Sequence, residues 1–272
     1  MLRGLYTASA GMISQQRKME TLSNNMANAN TPGFKSDQTA LRSFPELLLH
    51  RIDQQNIPTK QPMKFNQAMP IGGLNTGVYL QETAPNFRQG DPQQTGVYTD
   101  MMIMQQPGEP GAVFFTIENP DGTPRYTRNG NFALDVQGFL TTNGGQYVLD
   151  NNNNRIQIPT REFTLLPNGT IQIEGTTITT LGLAYAENPS SLIKEGHGVY
   201  RFPADAAIQA LPGANNTNFQ VLQNHLERSN VDTGQTMSEM MSAFRAFEAN
   251  QKIIQAYDQS MQKAANEIGR IN

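Results

Sequence analysis

The chain has 272 residues, 20 of them basic and 23 acidic, a formal charge of −3 and no cysteine. That length suffices for one or two domains with a sizeable core. The near-neutral charge, with no basic run and no basic–aromatic alternation, argues against a nucleic-acid partner, and the lack of cysteine removes disulfides, thiolate chemistry and zinc–thiolate sites. A hydrophobic share of 37% with a mean hydropathy of −0.51 is polar for a compact enzyme and points to much exposed or intermolecular surface. The longest apolar runs, such as Ala112 to Ile117, fall far short of the roughly 20 residues that span a bilayer. The opening stretch MLRGLYTASAGMISQQRKME has no continuous apolar stretch of the kind a cleaved secretory signal needs. The expectation is a chain that is cytoplasmic or is exported without a cleaved signal.

In chain order, the first element is a helix. Apolar residues fall at Leu5, Met12, Met19 and Met26, a strict heptad that Leu22 thickens on one side, and this pattern predicts an amphipathic helix with a narrow seam. It ends at Asn30-Thr31-Pro32-Gly33, where proline blocks continuation and Pro-Gly supplies a turn. Residues 1–34 are read as this N-terminal helix. Residues 35–95, rich in Pro, Gln, Asn and Gly, read as an extended connector, with a short helix expected from Leu41 to Ile52.

Residues 96–202 read as a β-rich antiparallel domain. Short β-prone runs alternate there with Asp121-Gly122, Asn129-Gly130, Asn143-Gly144, Asn168-Gly169 and Glu174-Gly175, the turn dipeptides that mark hairpins. Asn151 to Asn154 reads as a polar loop tip. Residues 203–225 form a second connector. Residues 226–272 carry the C-terminal helix, whose seam Met240, Phe247, Ile254, Met261 and Ile268 is again a heptad, widened by Met237, Phe244 and Tyr257. Either Asp232 with Gln235 or Thr236 with Glu239 would form a capping box at its start. The fold class is therefore α+β: a discontinuous helical coiled-coil domain built from both termini, with an all-β antiparallel domain inserted. One amphipathic seam cannot offset the conformational entropy lost in ordering so long a helix. It calls for the other terminal helix and for helices of neighbouring chains.

Three segments carry a family resemblance: SNNMANANTPGFK (Ser23 to Lys35), YTRNGNFALDVQGFLTTNGGQYVL (Tyr126 to Leu149) and LERSNVDTGQTMSEMMSAFRAFEANQKIIQAYDQSM (Leu226 to Met261). In this order they resemble the N-terminal signature, the central hairpin repeat and the C-terminal segment of flagellar basal-body rod and hook proteins. Hook subunits resemble the pattern but run longer, with a further outer domain. The resemblance is thus strongest to the distal-rod type and to its Gram-positive hook-basal-body paralogues. The chain departs from the family pattern at Met101 to Phe115, MMIMQQPGEPGAVFF, where members usually pass straight from a short strand into a Gly-Phe-Phe stretch.

The resemblance implies a structural subunit that is no enzyme. It would be exported by the flagellar type III apparatus without a cleaved signal, and would polymerise with itself and with neighbouring rod and hook subunits into a helical tube transmitting torque from motor to hook. The expected assembly interface is Leu5, Met12, Met19, Leu22, Met26, Met237, Met240, Phe244, Phe247, Ile254, Tyr257, Met261 and Ile268. The signature residues are Ser23, Asn24, Asn25, Ala27, Asn28, Thr31, Gly33, Phe34, Lys35, Ser229, Asn230 and Val231. The asparagines read either as a helix end running into a turn or as interhelical contacts that set register.

Other chemistry finds little footing. His50, His197 and His225 lie apart and follow no metal-binding spacing. Nothing pairs Asp91, Asp100, Glu109 or Glu118 for the acid–base work of glycan cleavage, and the chain has no GxSxG, P-loop or GxGxxG. No catalytic, cofactor or metal residue and no small-molecule substrate is expected. The rival readings are a hook-type or hook-junction subunit and, more remotely, a phage-tail-like structural protein.

Overall fold

A computed structural model describes residues 2–56, 64–106, 108, 111–160, 162–203, 209–210 and 219–268. The chain forms two compact units, one from Met1–Ser23, Thr39–Thr83 and Met237–Asn272, the other from Asn24–Gln38 and Ala84–Thr236. The class is mixed α+β.

The first unit holds most of helix α1 (Leu2–Ala27), strands β1 (Asp37–Ser43), β2 (Leu47–Asn56), β3 (Lys64–Leu74) and β4 (Val78–Pro85), and most of helix α2 (Thr233–Ile268). β2 and β3 pair as a long antiparallel ribbon, and β1 pairs with β4. The expected helix at Leu41 to Ile52 is therefore strand instead. Pro45 lies inside that segment, where it would break a helix, and long-range pairing overrides local propensity. The stretch read as an extended connector thus holds paired strands. Ser14 donates through Oγ to the Val78 carbonyl at 2.9 Å and Thr7 through Oγ1 to that of Thr76 at 3.0 Å, so small hydroxyls on α1 seat it against the start of β4.

The second unit is β throughout, apart from a short 3-10 turn and the helix ends. Its strands are β5 (Pro92–Gln94), β6 (Met101–Gln105), β7 (Ala112–Glu118), β8 (Pro124–Thr127), β9 (Phe132–Leu134), β10 (Leu140–Thr142), β11 (Thr164–Leu165), β12 (Thr170–Ile173), β13 (Thr176–Thr180), β14 (Leu183–Ala186), β15 (Ile193–Gly196), β16 (Val199–Arg201), β17 (Gln209–Ala210), β18 (Phe219–Gln223) and β19 (His225–Glu227). Among the described residues the main sheet runs β15-β16-β8-β7-β14-β17 and is antiparallel. β7 explains the run AVFFTI. Val113, Phe115 and Ile117 point into one core with Phe132, Leu140 and Leu181, while Ala112 and Phe114 point into a second with Tyr126, Tyr200 and Phe202. A strand covered on both faces reads as continuous apolar sequence rather than as alternation. The residues preceding β7, where the family pattern is broken, include β6, which pairs with β18 from Phe219↔Gln105 to Gln223↔Met101. Phe219 and Val221 thereby join the first core, so the stretch read as the second connector contributes to it.

Asp121-Gly122, Asn143-Gly144, Asn168-Gly169 and Glu174-Gly175 turn the chain between antiparallel partners as expected. Asn129-Gly130 does not. No hairpin joins β8 to β9; Gly130 instead lies against β6, where its carbonyl accepts from the Met101 N–H at 3.0 Å. A Cβ at Gly130 would penetrate the Met101 carbonyl oxygen.

Candidate assembly surfaces

The signature that follows α1 is a set of ties inside the second unit. Asn25, buried at the last turn of the helix, donates through Nδ2 to the Asp37 carbonyl at 2.8 Å and accepts from the Asp37 N–H at 2.9 Å. An amide that pairs with backbone in both directions replaces a strand partner. Asn28 donates through Nδ2 back to the Asn24 carbonyl at 2.9 Å, beside its own backbone N–H at 3.1 Å, and Thr31 donates to Asn28. These asparagines close a helix end and its turn, and none of these bonds is interhelical. Gly33 has a left-handed backbone (φ 67°), and a Cβ there would meet the Arg128–Asn129 backbone at about 2.5 Å. Phe34 is buried, with the Lys194 ammonium 4.6 Å above its ring. Ser23, Asn24 and Ala27 are exposed.

The second signature meets the first at Asn230. Its Oδ1 accepts from the Ser36 N–H at 2.7 Å, and its Nδ2 donates to the carbonyls of Asn86 and Arg88. Ser229 accepts from the Val231 N–H, and Asp232 caps α2 by accepting from the Gln235 N–H at 3.0 Å, which selects the earlier of the two expected starts. Beneath these contacts lies a buried ion cluster. Lys35 Nζ reaches Glu227 Oε1 at 2.6 Å and the Arg88 carbonyl at 2.9 Å, and the Gly90 N–H donates to the same Oε1. Arg128 Nε stands 3.3 Å from Glu227 Oε2 without a hydrogen bond between them, and its Nη1 donates to the Val113 carbonyl at 2.6 Å. All three side chains are essentially out of solvent. Burial, and then the nearby Arg128 charge, lower the Lys35 pKa from 10.5 to about 8 against the pull of Glu227. Two cations thus share one carboxylate, and that carboxylate is the only group compensating either charge within this cluster.

Comparison with known proteins places these features. Residues 5–35 match the family described as flagella basal body rod protein, residues 110–182 the flagellar hook protein FlgE/F/G D1 domain, and residues 222–267 the flagellar basal body rod FlgEFG protein C-terminal domain. The chain is 40% identical over 278 residues to the flagellar hook-basal body complex protein FlhO of Bacillus subtilis, covering 100% of both chains. The chain belongs to the flagellar basal-body rod and hook-basal-body family. Basal-body rod proteins FlgG resemble it across nearly the whole length as well, at 33% identity for that of Bacillus subtilis (98% of this chain, 99% of the relative) and 31% for that of Borreliella burgdorferi (99% and 100%). It is accordingly a structural subunit of the flagellar basal body, where it assembles with other rod and hook subunits.

In this rod-family chain the two terminal helices approach each other within the first unit. A Cβ at Gly4 would run into the Tyr257 ring, and one at Gly11 would stand 2.9 Å from the Asn250 amide nitrogen. Position 4 against 257 and position 11 against 250 means antiparallel helices, touching one heptad apart at glycines that permit close approach. Protection along α2 follows this contact. Met240, Ala243, Phe247, Ile254 and Tyr257 are buried or half-buried. On α1, Ala8 and Leu22 are buried, and Leu5, Met12, Met19 and Met26 are half-buried. Met237, Phe244 and Met261, expected on the same seam, are exposed. The side chain of Ile268 lies outside the described residues.

Sequence reasoning missed the ion cluster, although the signals were present as charges set in apolar or strand-like sequence: Lys35 after Gly-Phe, Arg128 after Tyr-Thr, Glu227 after Leu226. It also missed an exposed α1 stripe of Tyr6 and Ile13. The histidines stand on separate elements, in β2, in the turn from β15 to β16, and in β19. Glu118 is paired with Arg155 at 2.6 Å, and Glu109 lies outside the described residues. Among the described residues no group of three or more His, Asp or Glu side chains could hold a metal ion.

Proposed function

We propose that this chain is a distal-rod-type subunit that polymerises with itself into a helical tube, in which α1 and α2 form a coiled pair toward the axis and torque passes from motor to hook through the repeated interfaces. One observation carries this reading: the helical seam is only half closed in a single chain. Leu5, Met12, Met19, Phe247, Ile254 and Tyr257 all keep part of their surface in water, and apolar seams of this spacing gain stability when further helices cover them. The work of the chain is assembly rather than catalysis, a reading supported by its family. Among the described residues no helix is long and apolar enough to cross a membrane. Export through the flagellar type III apparatus, without a cleaved signal, is taken from the family resemblance of the terminal segments.

Electron microscopy of the purified full-length chain tests the polymer. The expected result is helical tubes of rod-like diameter from the parent. Phe247→Asp should give none, because a carboxylate forced into the seam either leaves it or takes up a proton, each at a cost of several kcal/mol. The β unit of that variant should keep its unfolding transition. Tubes formed normally by Phe247→Asp would contradict the seam assignment.

A further inference from the structure

The first unit exposes a second pair of stripes, separate from the seam that joins α1 to α2. On α1, Arg3, Tyr6, Ala10, Ile13 and Arg17 recur every three or four residues, and together with Phe44 and the start of β4 they line a groove of about 590 Å³. Tyr6 is 65% exposed and Ile13 47%. On α2, Met237, Met241 and Phe244 are 57%, 47% and 46% exposed, and Glu248 continues their line. This line lies roughly a third of a turn around the helix from the face that meets α1. Each helix therefore carries one apolar line toward its partner in the same chain and another that the described residues leave largely open.

We infer that the α1 groove of one subunit receives the exposed α2 stripe of a second copy of the same chain, an inference that rests on the homopolymer reading above. Three observations select this occupant. The two stripes have the same alternating three-and-four spacing and so can interlock as a helix–helix seam. Their charges are complementary, since the groove is bounded by two arginines, Arg3 and Arg17, and the α2 stripe ends in a carboxylate, Glu248. Groove and stripe are different surfaces of one molecule, which makes the contact heterologous, and repeating such a contact gives an open helical assembly rather than a closed dimer.

The register follows from the geometry already described. Subunits in a tube point the same way, and α1 and α2 are antiparallel within a chain. The neighbour's α2 therefore also lies antiparallel to α1. Placing Glu248 on Arg3 then sets Phe244 on Tyr6, Met241 on the small Ala10, and Met237 on Ile13. Ring meets ring, a long side chain meets the smallest one, and the remaining apolar pair closes the line.

The chain has no cysteine, so engineered single cysteines report contacts without background. Four chains are made, Tyr6→Cys, Ile13→Cys, Met237→Cys and Phe244→Cys, and all four sites are exposed. They are mixed in pairs under polymerising conditions with a mild oxidant. Mixed disulfides should form between Tyr6→Cys and Phe244→Cys and between Ile13→Cys and Met237→Cys. The crossed pairs, displaced by seven residues or about 10 Å along the helix, should give at least about tenfold less, because a disulfide needs its Cα atoms within about 7 Å. A second measurement uses charge. Arg3→Glu alone and Glu248→Arg alone should each reduce tube formation, and the two together should restore it. Tubes that form with no preference for the matched pairs would overturn this docking and leave the polymer reading standing. A parent chain that stays monomeric under all polymerising conditions would take down both.

Discussion

Glu227→Ala is expected to destabilise the β unit by about 3–5 kcal/mol, the usual cost of stripping one partner from a buried ion pair. The side chain it removes lies 2.6 Å from Lys35 Nζ and 3.3 Å from Arg128 Nε, with both cations shielded from water. Alanine would leave two buried positive charges facing one cavity, and would also free the Gly90 N–H that Glu227 now accepts from. At 2–4 °C per kcal/mol for a unit of this size, the melting transition should fall by roughly 10 °C. Lys35→Met should cost much less, because Glu227 and Arg128 remain as a charge-matched pair and the Arg88 carbonyl, which loses Lys35, keeps Asn230 Nδ2 as a donor. Thermal unfolding followed by far-ultraviolet circular dichroism checks both. A Glu227→Ala protein within 1 kcal/mol of the parent, a difference smaller than a typical core substitution, would show that the cluster is not the tie described here.

The second large effect is expected at Gly130. Its backbone needs no glycine for conformational reasons, since its φ is not positive. What demands glycine is proximity to β6, where a Cβ would penetrate the Met101 carbonyl oxygen and come within 3.3 Å of the Phe115 ring. The obstructing atom is backbone in a buried strand paired to β18, so it cannot swing aside as a side-chain tip would. Gly130→Ala should therefore lose the Met101 N–H bond to the Gly130 carbonyl and shift β6 off the core, a penalty of about 4 kcal/mol or more. Gly144→Ala makes the control: only the Thr142 hydroxyl comes within 4 Å of an added Cβ there. Chemical denaturation of the two variants should separate them by several kcal/mol. Equal midpoints would contradict the close approach.

Much of this architecture was legible in the residues, and where legibility failed the reason is physical. Heptad spacing announced both terminal helices, because periodicity survives without any knowledge of the partner. It could not divide Met240 and Phe247 from Met237 and Phe244. Both sets are apolar, and they lie on adjacent faces of one helix; only the position of α1 tells the face turned toward it from the face left open. Asn129-Gly130 carries the strongest short hairpin signal, yet it serves a packing contact with β6, because a dipeptide does not report which strands flank it in space. Leu41 to Ile52 reads as a short helix and is strand, because Leu41–Ser43 belong to β1, which pairs with β4, and Leu47–Ile52 pair with β3 from Leu47↔Leu74 to Ile52↔Ala68. The ion cluster was least visible of all. Lys35 and Glu227 are 192 residues apart, and nothing local to either marks it as buried. The flagellar family, by contrast, was readable from three segments, and within them Asn25, Gly33, Lys35 and Asn230 tie the end of α1 and the start of α2 to neighbouring backbone and to Glu227.

The central claim is that this chain forms a segment of the rod, and electron cryotomography of basal bodies in a strain lacking it tests that claim most directly. A tube built by stacking has nothing for the next segment to build upon when one segment is missing. The expected images therefore show basal bodies whose rod stops short and carries no hook, with full length restored by the parent chain and not by Phe247→Asp. Rods of normal length bearing normal hooks in that strain would contradict the account.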